Sequence, residues 1–215
     1  MGIYFEALIL FILLFFSGPA AFFSGMTIVP AEFSQSTELF KIFTYYIPGL
    51  ALIWYLIFKA QKPEICAIKP GRKDIISGLI TLPGLLITGS AIVLVSSFIE
   101  ESAVQVTLHS PSTVQGWIIL CFSCIFSAYL EESYFRYYLL SKRKELNLNP
   151  SSALVLSIIL FSICHIYAGF WGFLNAAICG TILGLIFLRY NSLHGIAIAH
   201  ALYNISAFAI NAIFT

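Results

Sequence analysis

The sequence predicts an all-α, polytopic membrane protein of about seven transmembrane helices, with room for an eighth and the N-terminus in the cytoplasm. Three observations carry this expectation. Of the 215 residues, 60% are hydrophobic and only 10% charged, against about 25% charged in a typical soluble domain. The apolar residues fall into runs close to the roughly 20 needed for a helix to cross about 30 Å of hydrocarbon. The basic residues collect in alternate loops. A single membrane domain over 1–215 is expected, with no separate soluble module. The net charge of +1 and the lack of a basic stripe argue against nucleic-acid binding.

The first apolar run, within "MGIYFEALILFILLFFSGPAA", ends in small residues as a signal peptide would, yet it lacks the positively charged start. Met-Gly suggests myristoylation, but Glu6 stands where Ser or Thr is wanted. A retained span at about 3–23 is therefore expected. The others fall at about 39–58, 75–98, 114–140, 151–169, 172–189 and 193–213. The fourth is too long for one crossing, so its last turns are expected to emerge into the basic interface. Pro19, Pro48 and Pro83 lie inside spans and predict kinks that neighbouring helices can accommodate.

Orientation follows from the basic residues. The loop 59–74 carries Lys59, Lys62, Lys69, Arg72 and Lys73; the loop 141–150 carries Lys142, Arg143 and Lys144; Arg189 ends the sixth span. The alternate loops, 24–38 and 99–113, hold glutamates and His109 but no Lys or Arg. Seven spans with a cytoplasmic N-terminus put every basic residue except Lys41 at or near the inside. The expected location is the cell (inner) membrane. Five cysteines are an odd number, and Cys121/Cys124, though spaced CxxC, lie in an unbroken apolar helix. Buried small hydrophobes are the better reading than redox or zinc chemistry.

Three polar groups interrupt the apolar pattern. "AYLEESYFRYYLL", residues 128–140, holds Glu131, Glu132 and Arg136, each costing roughly 2.5–3.5 kcal/mol at mid-bilayer on insertion scales. Glu132 and Arg136 are four apart and share a helix face, so they can pair. Glu131 is rotated about 100° away and is free for other work. The bland alternative is an interfacial cluster that ends the helix. "FSICH", 161–165, places His165 within a span, where a lone histidine is more often a packing residue. "HALYN", 200–204, puts His200 and Asn204 on one side of the last span, where they could simply join two helices. Depth links the three groups. At about 1.5 Å per residue, Glu131, His165 and His200 lie roughly 15, 21 and 11 Å from the ends of their spans, near enough to meet in one cavity. A carboxylate, two imidazoles and an amide could supply a general base, a proton-transfer group and oxyanion donors, which suits water attack on an amide.

"EESYFR" fits EExxxR, "FSICH" fits FxxxH and "HALYN" fits HxxxN, in that order. In this the sequence resembles the CAAX-protease and bacteriocin-processing (CPBP, or Abi) intramembrane proteases. The run "GFLNAAICGTILGLIFLRYNSLHGIAIAHALYN" is similar to that family's last two helices, and the likeness makes about 114–210 the catalytic core. The resemblance implies that Glu131 activates water and that Glu132 and Arg136 form the supporting ion pair. It also implies that His165 works with Glu131, while His200 and Asn204 stabilise the oxyanion. Tyr137 stands where the family usually has a small residue, and is expected to narrow the cavity mouth and put prenylated substrates in doubt.

The expected function is hydrolysis of a peptide bond in a membrane-associated, lipidated or C-terminally tagged protein or peptide by glutamate-activated water. No cofactor is expected; the alternative is zinc or another divalent metal on Glu131, His165 and His200. A non-catalytic immunity or scaffold protein binding a peptide in the same cavity is one rival. A proton-coupled transporter is another, although it lacks the inverted repeat and paired broken helices that many transporters carry.

Overall fold

The computed structural model describes residues 3–23, 33–60, 69–99, 109–141 and 147–214, and among these it contains helices and no strand. The loop lysines and arginines Lys62 and Lys142 to Lys144, and Cys66, lie outside the described residues. The predicted first span is two helices, α1 (Ile3–Phe15) and α2 (Ser17–Phe23). Pro19 causes the break, because it has no N–H to give the carbonyl of Phe15 and its ring would crowd that carbonyl. Phe16 turns instead, and its carbonyl takes the Ala20 N–H at 2.9 Å.

Helix α3 (Gln35–Lys41) starts four residues before the expected 39, because Ser34 caps it through Thr37 N–H. A π-turn (Ile42–Tyr46) leads into α4 (Ile47–Ala60). Pro48 again supplies the reason. It leaves the carbonyl of Thr44 without its α-helical donor, and the ladder slips so that Ile47 N–H reaches Ile42 O. The long α5 (Arg72–Ile99) runs through Pro83 without interruption.

Helix α6 (Val114–Glu132) is capped by Thr113, whose Oγ1 accepts from Gly116 N–H at 3.1 Å. It passes into a second π-turn (Ser133–Tyr138) and the short α7 (Leu139–Ser141). No proline explains this π-turn. Its cause is Ser157, whose hydroxyl enters the ladder and donates to Phe135 O at 2.8 Å. Residues 134–140 are at most 2% exposed, so protein rather than headgroups covers these turns. Tyr134 donates to Ala7 O and Tyr138 to Glu6 Oε1, at 2.8 and 2.6 Å, which ties α1 across them.

Helix α8 (Pro150–Cys164) is capped by Asn149 with proline at its start. A 3₁₀ turn (Ile166–Ala168) and Gly169, at φ +75°, lead into α9 (Gly169–Tyr190). Asn191 ends α9 in the left-handed conformation, and α10 (Leu193–Phe214) follows at once. Helix α10 packs on α5 and α6, and α9 packs on α8 and α5; the π-turn after α6 touches α4, α8, α9 and α10. The crossing of α5 and α10 is very close. A Cβ at Gly195 would stand 2.0 Å from Ser77 Oγ and 2.4 Å from Asp74 O, so only glycine fits. Ser192 donates to the Asp74 carboxylate, and Ser77 donates to Ser192 at 2.8 Å, which binds the α9–α10 turn to the start of α5.

Five described helices are long and apolar enough to cross a membrane: Gln35–Lys59, Arg72–Ile99, Val114–Tyr138, Ile166–Tyr190 and Leu193–Ile213. The other two expected spans are represented by shorter apolar helices, Tyr4–Phe15 and Pro150–Cys164. One is cut by Pro19, and the other ends at His165. Many large apolar side chains point away from the protein, including Leu79, Ile87, Val93 and Phe98 along α5. Lipid is the solvent that such a face requires. The described cysteines, Cys121, Cys124, Cys164 and Cys179, are free thiols.

Candidate active site

Two adjacent carboxylates leave the end of α6 and meet different partners. Glu132 is fully buried. Its Oε1 accepts from Arg136 Nη1 at 3.3 Å, and its Oε2 lies 3.2 Å from Arg136 Nε. The same Oε1 accepts from His200 Nδ1 at 2.9 Å. Arg136 Nη2 donates to Gly180 O at 3.2 Å, and its guanidinium carbon stands 4.3 Å from the Phe161 ring centroid. Gly180 permits this approach, because a Cβ there would press on the Phe161 ring at 3.0 Å and on Arg136 Nη2 at 3.3 Å. The expected Glu132–Arg136 pair is therefore present, with His200 as a partner that spacing alone did not reveal.

Glu131 is half-buried and faces the other way. Its Oε1 accepts from Ser127 Oγ at 2.9 Å. Its Oε2 has no hydrogen-bond partner within the protein, and His200 Nε2 is 4.0 Å from it, too far for a direct bond. A carboxylate accepts only, so Glu132 holds the proton of His200 on Nδ1 and turns Nε2 towards Glu131.

His165 caps α8, and its Nδ1–H donates to Phe161 O at 2.8 Å, leaving Nε2 for other contacts. Its ring is 4.7 Å from that of Phe161, which in turn is 6.0 Å from that of His200. The two histidines thus flank one aromatic ring. No hydrogen bond joins His165 to either carboxylate. Asn204 sits half-buried one turn beyond His200 on α10, without a hydrogen bond to the cluster. The structure brings Glu131, Glu132, Arg136 and His200 into contact, sets His165 beside them across Phe161, and leaves Asn204 at one helical turn.

Of the alternative metal set, His200 lies 4.0 Å from Glu131, and His165 stands across the Phe161 ring. Among the described residues no group of three or more His, Cys, Asp or Glu side chains is gathered as a metal ion requires. Tyr137 is 1% exposed, stacked on Trp54 with centroids 5.4 Å apart and set edge-on to Phe187. It packs between α4 and α9. Sequence reasoning missed Ser127, although its spacing of four residues from Glu131 was a readable signal.

Residues 113–206 match the family model described as Rce1-like, Type II CAAX prenyl endopeptidase Rce1-like. This is the CAAX-protease family that the three motifs resemble, and the matched stretch holds all of them. Searches of curated proteins and of solved structures find no match.

Proposed function

We propose that this chain, with an Rce1-like region over residues 113–206, is an intramembrane endopeptidase that hydrolyses a peptide bond of a membrane-associated substrate. The observation that carries the reading is the division of labour between the glutamates. Glu132 is occupied by Arg136 and His200, whereas Glu131 keeps one unpartnered oxygen beside His200 Nε2. In this reading Glu131 Oε2 takes a proton from water as its oxygen attacks the carbonyl. Glu132 orients His200, and the protonated ring and the Asn204 amide donate to the oxyanion. His165 Nε2 assists proton transfer to the departing nitrogen. The reaction is written without a metal, and exhaustive chelation is expected to leave turnover intact. The substrate class is a membrane-embedded, lipidated or C-terminally tagged protein or peptide, and the proposed location is the cell (inner) membrane.

Asn204→Ala tests the oxyanion assignment. It is expected to lower turnover by about 10²–10³-fold, the range for one lost donor, with little change in KM. Unchanged kcat would remove Asn204 from the mechanism.

Seven spans with a cytoplasmic N-terminus remain the proposed topology. Single cysteines in a background lacking the native ones should label from the cytoplasm at positions 65 and 146, and from outside at 34 and 106. Positions 65, 106 and 146 lie outside the described residues. Labelling of position 65 or 146 from outside would exclude this arrangement.

A further inference from the structure

Ser127 stands one turn before Glu131 on α6, with Ser123 one turn earlier on the same face. Helical side chains lean towards the N-terminus, so the Glu131 carboxylate lies back over Ser127. Ser127 Oγ donates to Glu131 Oε1 at 2.9 Å. A hydroxyl within a helix can bond the carbonyl four residues back, and those of Thr44, Ser162, Thr181 and Ser206 do so here. Ser127 gives its proton to a carboxylate instead, which makes a stronger, charge-assisted bond when that group is ionised. Among the described residues this is the hydrogen bond that Glu131 receives. Its Oε2 is buried without a partner, and the Arg136 guanidinium is taken up by Glu132 and Gly180 O. Ser123 provides a contrast. Its hydroxyl donates to Glu38 Oε2 at 2.5 Å, and Glu38 is already paired with Lys41 at 2.7 Å.

We propose that Ser127 is a positioning residue, which anchors Glu131 by Oε1 and so reserves Oε2 for the attacking water. The role rests on the reading of Glu131 as the base. A glutamate side chain turns about several bonds, and a single anchor at its far end decides where its two oxygens stand. With Oε1 tied to the preceding turn of α6, Oε2 faces the ring that Glu132 orients, 4.0 Å from His200 Nε2. Oε2 is then the oxygen that takes the water's proton. Without the Ser127 hydroxyl the carboxylate is free to rotate, and either oxygen can turn to His200 or away from it. A misplacement of about 1 Å is enough to cost roughly 10²-fold in rate. Ser127 touches neither the water nor the peptide bond in this role and acts through Glu131.

Kinetics of the purified 215-residue chain in lipid vesicles, on a lipidated peptide that the wild type cleaves, test the role with three variants. Ser127→Ala should lose kcat by roughly 10²-fold at unchanged KM. Ser127→Thr keeps a hydroxyl at the same position and should restore most of that loss. Ser123→Ala removes a hydroxyl from the same helix face and should keep the wild-type kcat, which separates positioning of the base from the polarity of the helix. Wild-type kcat in Ser127→Ala, or an equal loss in Ser127→Thr or Ser123→Ala, overturns the assignment and leaves Glu131 as base. If the wild type cleaves no peptide, the protease reading fails separately. The anchor is then read without substrate, through the infrared carboxyl band of Glu131, assigned by its absence in Glu131→Gln. That band should shift in Ser127→Ala and keep its wild-type position in Ser123→Ala. An unmoved band in Ser127→Ala would overturn the anchor.

Discussion

Glu131→Gln is expected to yield a folded protein whose turnover is lower by at least about 10²–10⁴-fold, the contribution of a positioned general base. An amide can accept the Ser127 hydrogen bond, so the local packing survives, but it cannot hold the proton of an attacking water. Glu131 is half-buried, and the Arg136 charge is already paired with Glu132, so removing its charge strands no buried cation. Thermal unfolding should therefore change little while kcat collapses. The measurement is single-turnover cleavage of a lipidated peptide beside a melting curve of the same preparation. Wild-type turnover in Glu131→Gln would remove the proposed base.

Glu132→Gln is expected to fail in a different way. Arg136 and His200 both bond to this carboxylate inside a fully buried cluster. Removing one member of a buried ion pair typically costs about 3–5 kcal/mol, because the other charge is left without compensation. Gly180 O still receives Arg136 Nη2, but a carbonyl carries only a partial charge. His200 also loses the acceptor that sets its tautomer, so turnover per folded molecule should fall together with stability. Second-site replacement of Arg136 by methionine in the Glu132→Gln background should recover stability and leave activity low. Glu132→Gln with wild-type melting behaviour would contradict the buried-pair account.

Much of this arrangement was legible from spacing. An interval of four residues placed Arg136 under Glu132, and long apolar runs gave the helices. The prolines marked two irregularities, at Phe16 and at the first π-turn, because their chemistry acts on the carbonyl four residues back. The second π-turn was not legible, since its cause is Ser157 on another helix. For the same reason the His200–Glu132 bond escaped notice, as it depends on how α10 crosses α6 and not on any local pattern. The packing of Tyr137 is not legible in the sequence. Which way an aromatic side chain points after a π-turn follows from the shifted ladder, and here the shift sends it between Trp54 and Phe187. The sequence places Glu38 in a loop, and only the helix start at Gln35 makes it a partner of Ser123.

The central claim is that Glu131 directs water onto a peptide bond inside the membrane. Its most direct test is mass spectrometry of single-span and lipidated peptides incubated with the purified protein in heavy-oxygen water, wild type beside Glu131→Gln. The account predicts a new C-terminus carrying one heavy oxygen with the wild type and intact peptide with the variant. Cleavage that persists in Glu131→Gln, or intact peptide across the panel with the wild type, would contradict it.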